Sequence, residues 1–403
     1  MYITGQNSKK REPGKYIRER EKARMKIIIF ICGEGLGHTS RCLALGKELL
    51  AAGHEIVFGA YGYSKEVVEK TGYRVQEIPS EIKLVGKAGG FDLSGSIEAT
   101  LKNARILGGP KVLKLIKDFK PDVVVSDSYY LGTLAAMLLN IPVYLIINQS
   151  NMEDFFKNRG VPIRLLGDLT KKFYREVFEK TDKIIIPDYP LPYTVCRKNL
   201  NFAPGLREKL YYSGPLVKEK YEEVEQIPLK KPHVVSLIGG FGYREPIFRK
   251  VLTTAALDPG INYTLISGPN LDPSRFKEIP RNVQILRFVG DTFPYIRNSD
   301  AVIAPGGHST MMEALSFGTP ILSFPDEGHS EQENNAAVVE EEGYGRMLSY
   351  STPPEVILEC IREVLEDKKY RDKVKKLQRL SSELDGPKAV RELLEKEAGK
   401  KVS

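Results

Sequence analysis

The sequence predicts an α/β protein of two Rossmann-like parallel-sheet domains facing each other across a cleft. Three observations carry that prediction. The strands are continuous apolar runs, helices alternate with them, and each half opens with a strand, a glycine-rich turn and a helix (ICGEGLGH, then LIGGFGYR). Unbroken Val/Ile/Leu runs mark strands covered on both faces, whereas a half-exposed sheet alternates apolar with polar residues.

In the first half the expected strands are Lys26–Cys32, Glu55–Gly59, Val75–Ile78, Asp122–Ser126, Val143–Ile147 and Lys183–Pro187. Helices are expected at Ser40–Ala52, where leucines recur at helical spacing, and at Pro110–Phe119. A second series follows at His233–Ile238, Tyr263–Ser267, Val283–Phe288, Ala301–Ala304 and Pro320–Phe324. The Lys- and Glu-rich stretch from about Pro353 is expected to be helical, with no chemical motif in it.

A chain of 403 residues exceeds one ordinary core and suits two domains of about 150–200 residues each. Residues 1–24 hold eight Lys/Arg against three Glu, five of the eight net positive charges, with no periodic apolar face. They are expected to be a basic flexible tail, and Met25 a native start, because a strong strand begins there. An arm for nucleic acid or anionic lipid is the other use of such a tail. The expected divisions are 25–216 for an N-terminal Rossmann-like domain and 217–232 for a charged, Pro-bounded linker. A C-terminal Rossmann-like domain at 233–385 and a C-terminal helix or tail at 386–403 complete them. No apolar run reaches the about 18 residues of a membrane span, and no apolar signal core opens the chain. The four cysteines lack CxxC spacing, which fits reduced thiols in a cytoplasmic protein.

The turn Gly33-Glu34-Gly35-Leu36-Gly37-His38 lies between a strand and a helix. Glycines let backbone approach a ligand there, and a helix N-terminus favours negative charge. A dinucleotide site would need an acid ending the second strand; Val57-Phe58-Gly59-Ala60-Tyr61 has none. His38 sits at the carboxyl edge of the sheet, where an imidazole can take a proton from an attacking hydroxyl. Asp127, ending another strand, reaches the same edge and is the candidate to orient it. The alternative is that each merely caps a helix.

The most informative segment is DAVIAPGGHSTMMEALSFGTPILSFPDEGHSEQENNA. A strand runs into Pro305-Gly306-Gly307-His308-Ser309-Thr310 and a helix whose first amides can hold a diphosphate, with Ser309 and Thr310 hydroxyls beside them. Glu313, on the same helix face, can accept both hydroxyls of a ribose. Glu331 and Gln332, an adjacent acid and amide, suit the several hydroxyls of a hexose. Gly239 and Gly240 in the second glycine turn join this donor set. His308 and His329 lack a second ligand at metal-binding spacing, and no DxD occurs, so neither a metal nor any other cofactor is expected.

These motifs resemble the MurG-like, family 28 branch of GT-B glycosyltransferases and, more distantly, the UDP-glycosyltransferase superfamily. The likeness covers most of residues 25–345. It rests on GEGLGH, KPDVVVSDSY with NIPVYLIINQ, LIGGFG, and above all GGHSTMMEALSFGTPIL followed by EQENNA. The resemblance implies an inverting, metal-independent transfer of a hexose or N-acetylhexosamine from a UDP-sugar. It places Glu313 on ribose, Gly307 to Thr310 near the diphosphate, Glu331 and Gln332 on the sugar, and Phe288-Val289 at the base. It also makes His38 the general base, supported by Asp127. Two departures stand out. Phe241 replaces the hydroxyl that MurG-like enzymes carry after paired glycines, and Pro305 replaces the UDP-glycosyltransferase histidine, so diphosphate contacts fall mainly to backbone.

The acceptor is unidentified. Residues 82–119 mix Lys/Arg with apolar residues, and a lipid-linked acceptor at an anionic, inner membrane face is one expectation; an ordinary amphipathic helix packed on the sheet is the other. Two further classes stay open: a nucleotide-sugar epimerase or hydrolase on the same fold, and nucleic-acid binding by the tail, which is disfavoured.

Overall fold

In the computed structural model, residues 24–33, 36–81, 86–87, 90–91, 109–151, 161–238, 242–268 and 270–402 are described. The basic residues 1–23, most of 82–108, and Glu34, Gly35, Gly239, Gly240 and Phe241 lie outside them.

The first sheet is formed by β1 (Lys26–Ile31), β2 (Glu55–Ala60), β3 (Val75–Glu77), β4 (Val123–Asp127), β5 (Val143–Ile146), β6 (Lys183–Ile186) and β7 (Leu210–Tyr212). Their order is β3-β2-β1-β4-β5-β6-β7, every pair parallel. The second contains β8 (His233–Ser236), β9 (Asn262–Ile266), β10 (Val283–Leu286), β11 (Ala301–Ala304), β12 (Ile321–Ser323) and β13 (Gly345–Met347). Its order, β10-β9-β8-β11-β12-β13, is also wholly parallel. The predicted fold class is therefore observed. The edge strands β7 and β13 went unforeseen because Leu210–Tyr212 and Gly345–Met347 are not continuous aliphatic runs.

The apolar runs explain the layering. In β1, Ile27, Ile29 and Ile31 face one core cluster while Ile28 and Phe30 face another, and all five are fully buried. The first cluster is covered by α1 (Leu36–Ala51), the second by α3 (Gly109–Phe119) and α4 (Tyr130–Leu138), α2 (Gly62–Lys70) lying between β2 and β3. α3 is the amphipathic segment of the sequence: Val112, Ile116 and Phe119 are buried against the sheet, with Lys111, Lys114 and Lys117 exposed. α5 (Val161–Lys180) follows on the same half. The second sheet is likewise sandwiched, Val234, Ile303 and Leu322 on one face and Val302, Ala304 and Ile321 on the other. Its helices are α6 (Glu245–Leu257), α7 (Phe293–Asn298), α8 (His308–Ser316), α9 (Ser330–Glu341), α10 (Pro354–Glu366) and α11 (Lys368–Leu384).

The last helix, α12 (Gly386–Val402), returns to the first half. Val390, Leu393 and Leu394 join the cluster of Ile27, Ile29 and Ile31, and Arg391 Nε donates to Glu48 of α1 at 2.7 Å. In both sheets the connections depart in opposite directions from the pair β1/β4 or β8/β11. Such switch points open a crevice at the carboxyl ends of the strands.

Leu394, 1% exposed, fills the face of the first sheet from the far end of the chain. Leu394→Ala is expected to lower unfolding free energy by about 2–4 kcal/mol, measured by urea denaturation followed by circular dichroism.

Candidate active site

The first crevice holds His38 and Asp127. Ile31 and Asp127 are register partners at the ends of β1 and β4, so the chain leaving β1 passes beside the Asp127 carboxylate. Gly33 is required there: a Cβ would lie 2.6–2.8 Å from the ring and carbonyl of Tyr61. Two residues into α1 after Leu36, His38 places Nδ1 2.8 Å from Asp127 Oδ1, with the imidazole 26% exposed and the carboxylate fully buried. Sequence reading paired these two residues; it missed the third. Arg41, one helical turn on and itself buried, donates Nε to Oδ2 and Nη2 to Oδ1 of Asp127, both at 2.5 Å. Burial alone would raise Asp127; the Arg41 guanidinium, and then His38, outweigh it and hold the carboxyl well below the usual carboxylate range.

The second crevice faces it. α8 begins at His308 with Gly307 as N-cap and no side-chain cap. The amides of His308, Ser309 and Thr310 precede the first intrahelical bond, from Met311 N–H to the Gly307 carbonyl. Gly306 cannot carry a side chain, since a Cβ would sit 2.5 Å from the Gln332 carbonyl oxygen. That closeness brings the start of α9, with Glu331, against the start of α8.

The two crevices touch. The Ser309 hydroxyl donates to the Gly37 carbonyl at 3.0 Å, and a Cβ on Gly37 would lie 2.8 Å from Ser309 Oγ. Ser40 donates its hydroxyl to Glu313 Oε1 at 2.8 Å. Asn148, beyond β5, accepts from Arg41 Nη1 at 3.0 Å and donates to Glu331 Oε1 at 2.7 Å. A polar chain thus runs from His38 through Asp127, Arg41 and Asn148 to Glu331. Burial, opposed by the Ser40 hydroxyl, raises the Glu313 carboxyl from its ordinary 4.5 to about 7.

Not every candidate converges. His308 is turned into the first half, its Nε2 3.1 Å from buried Asp188 Oδ2. Asp188, Cys196 and His308 bring their ligand atoms within 4.8 Å of one another, a grouping that sequence spacing conceals. Hydrogen bonds hold the group together: Cys196 N–H also donates to Asp188 Oδ2 at 2.8 Å, and burial pushes the Cys196 thiol well up. Gln332 is engaged with Asp326, accepting its N–H at 2.9 Å and donating to Oδ2 at 3.1 Å. Asp326 in turn is gripped by Arg244 Nε at 2.9 Å and Nη2 at 2.5 Å, by Tyr243 and by Tyr350. This buried pair, unforeseen in the sequence, ties the residues after the second glycine turn to the loop before Glu331. Phe288, 60% exposed, and Val289 lie just past β10.

Two wholly parallel α/β sheets of like topology, each with a crevice at its switch point, are the architecture of the GT-B class, and the comparisons agree. A calicheamicin glycosyltransferase superposes with a TM-score of 0.72 at 21% identity, covering 94% of this chain and 99% of that one. Residues 25–215 match the model for glycosyl transferase family 1, and residues 247–389 that for the glycosyltransferase family 28 C-terminal domain. The chain belongs to the glycosyltransferases: it is 95% identical to an uncharacterized glycosyltransferase of Methanosarcina mazei over 94% of this chain and 100% of the relative. A UDP-N-acetylglucosamine–N-acetylmuramyl-(pentapeptide) pyrophosphoryl-undecaprenol N-acetylglucosamine transferase of Alkaliphilus metalliredigens is 24% identical, over 89% of this chain and 95% of its own. Among the described residues no helix is long and apolar enough to cross a membrane.

The raised Glu313 carboxyl gives a pH signature. The native acid keeps its proton up to about 7, whereas the unfolded chain releases it near 4.5, so unfolding free energy falls as pH rises through that interval and levels off above it. Glu313→Gln should flatten this part of the stability–pH curve, measured by urea titration at a series of pH values. An unchanged slope contradicts the assignment.

Proposed function

We propose that the protein moves a hexose or N-acetylhexosamine from a nucleotide sugar, UDP-linked, to an acceptor hydroxyl with inversion at the anomeric carbon. The observation that carries this reading is the opposition of the His38–Asp127 pair to the uncapped start of α8 across one narrow gap.

In this reading the diphosphate lies on the amides of Gly307 to Thr310, with the Ser309 and Thr310 hydroxyls as further donors. Glu313 accepts the ribose hydroxyls, taking two O–H groups in place of the one Ser40 now supplies. Glu331 accepts a sugar hydroxyl in place of Asn148. Gln332 holds the Asp326 loop and contributes through its position. Phe288 and Val289 offer main-chain groups to the base. His38 takes the acceptor proton on Nε2 while the oxygen attacks the anomeric carbon, and the bond to the nucleoside diphosphate breaks on the opposite face. Negative charge growing on that leaving group meets backbone dipoles already aimed at it, which is the electrostatic contribution a helix start supplies. Protein groups therefore suffice to stabilise departure, and the chemistry is metal-independent.

For the acceptor, the exposed lysines of α3 and the neighbouring exposed Leu134 and Leu138 of α4 support a hydroxyl carried on a lipid at an anionic surface. Gly33 and Gly37 line the acceptor side in this reading, Glu34 and Gly35 lying outside the described residues.

Two variants separate the roles. His38→Ala should lower turnover about 10²–10⁴-fold with UDP affinity nearly unchanged. Glu313→Ala should weaken UDP binding, measured by calorimetry, more than it lowers turnover at saturating donor. Donor identity comes from thermal-shift screening with UDP-, GDP- and dTDP-sugars followed by product analysis. Equal loss of UDP binding in both variants, or sugar release that proceeds at full rate with no acceptor, would overturn the proposal.

A further inference from the structure

Arg41 is the one fully charged cation set inside the acid–base pair, and its contacts go beyond bracing a buried acid. Its guanidinium is 4% exposed and bidentate on Asp127, and Nη2 also lies 2.9 Å from His38 Nδ1. Nδ1, Asp127 Oδ1 and Arg41 Nη2 therefore form a triangle with sides of 2.8, 2.5 and 2.9 Å. Arginine only donates, so the proton between Nδ1 and Oδ1 has two possible owners and the tautomer of His38 hangs on which one holds it.

We infer that Arg41 is a positioning residue that sets the tautomer of His38, making Asp127 accept the Nδ1 proton and so leaving the Nε2 lone pair for the substrate hydroxyl. The inference rests on the reading of His38 as the base. Its physics is that of a buried carboxylate. Asp127 is 0% exposed, and an isolated acid in that setting keeps its proton because charge is costly out of water. A protonated Asp127 would donate its O–H to Nδ1, and the single N–H of a neutral imidazole would then sit on Nε2. That state carries one proton more than the working one and offers the substrate a donor where a base is needed. With Arg41 in place the carboxylate stays ionised, and Oδ1, with two lone pairs, accepts both Nη2–H and Nδ1–H. Two lone-pair atoms facing each other at 2.8 Å would repel, so the Nδ1–Oδ1 contact calls for a proton between them; the 2.9 Å approach of Nη2 to Nδ1 is then one N–H beside another, both converging on Oδ1.

Among the described residues the surroundings supply no substitute cation. Cys42 Sγ lies 3.4 Å from Asp127 Oδ2, Asn148 holds Arg41 Nη1, and the nearest facing acids, Glu331 behind Asn148 and Glu313 behind Ser40, carry the wrong sign. Arg41 is held by both its fork and Asn148, so guanidinium, carboxylate and imidazole form one set of mutual contacts. Lysine would keep the charge and lose the fork.

The test is nitrogen chemical shifts of isotope-labelled histidine in the full chain at about pH 8, above the ordinary histidine range near 6.5. His38→Ala identifies the resonances. The intact protein should show the Nδ1–H tautomer, Arg41→Met the Nε2–H tautomer, and Arg41→Lys a return toward Nδ1–H. Arg41→Gln, polar but uncharged, carries the same test should the Met variant fail to fold, as judged by near-ultraviolet circular dichroism. A merely structural role would broaden the signals in every variant without exchanging the protonated nitrogen. Retention of the Nδ1–H tautomer in a folded Met or Gln variant overturns the inference. Full turnover in His38→Ala would instead overturn the base reading and leave the tautomer result standing, so the two failures are distinguishable.

Discussion

The constraint on which the molecule depends is the close approach of two helix starts, α1 from the first sheet and α8 from the second. Ser309 reaches the Gly37 carbonyl, and the space between them admits no Cβ on Gly37. His38 and Arg41 follow Gly37 on one side; Thr310 and Glu313 follow Ser309 on the other. Because the six-stranded sheet repeats the order of the first six strands of the seven-stranded one, each presents its crevice at the same relative place, and docking one against the other brings the His38–Asp127 pair opposite the start of α8.

The contacts across the gap have a common chemistry. Ser40 on Glu313 and Asn148 on Glu331 are neutral donors satisfying carboxylates of the opposite half. In the proposed reading sugar and ribose hydroxyls, neutral donors too, replace them with little change in hydrogen-bond strength while the diphosphate is gained on α8. Fixed ion pairs sit behind this exchangeable layer. Arg41–Asp127 anchors the first crevice and Arg244–Asp326 the second, each buried and bidentate. Breaking such a pair by removing one partner strands a buried charge, which is why these side chains act as rigid mounts.

Much of the fold was legible because buried parallel strands announce themselves as apolar runs; β1 and β11 were found nearly residue for residue. The donor helix was legible for a related reason, since strand, glycine pair, hydroxyl residues and one acid on a helix face lie within a short window. Residues linked only by folding were not. Arg41 looked like a lone polar residue on a leucine-rich face, though a charge on an apolar stripe three residues after His38 was a usable signal. Arg244 and Asp326 are 82 positions apart with nothing local to join them. His308 was expected among the donor groups, but its ring pairs with Asp188, a contact set by the docking of the halves. The return of α12 to the first sheet was hidden because its apolar residues fit any surface.

The central claim is that a nucleoside diphosphate enters this gap by replacing donors the first half now supplies. A crystal structure of the protein with UDP tests it most directly. The account predicts the diphosphate within hydrogen-bond distance of the His308, Ser309 and Thr310 amides and the ribose hydroxyls on Glu313, with Ser40 displaced. Nucleotide bound elsewhere, with the Ser40–Glu313 and Ser309–Gly37 bonds intact, would contradict it.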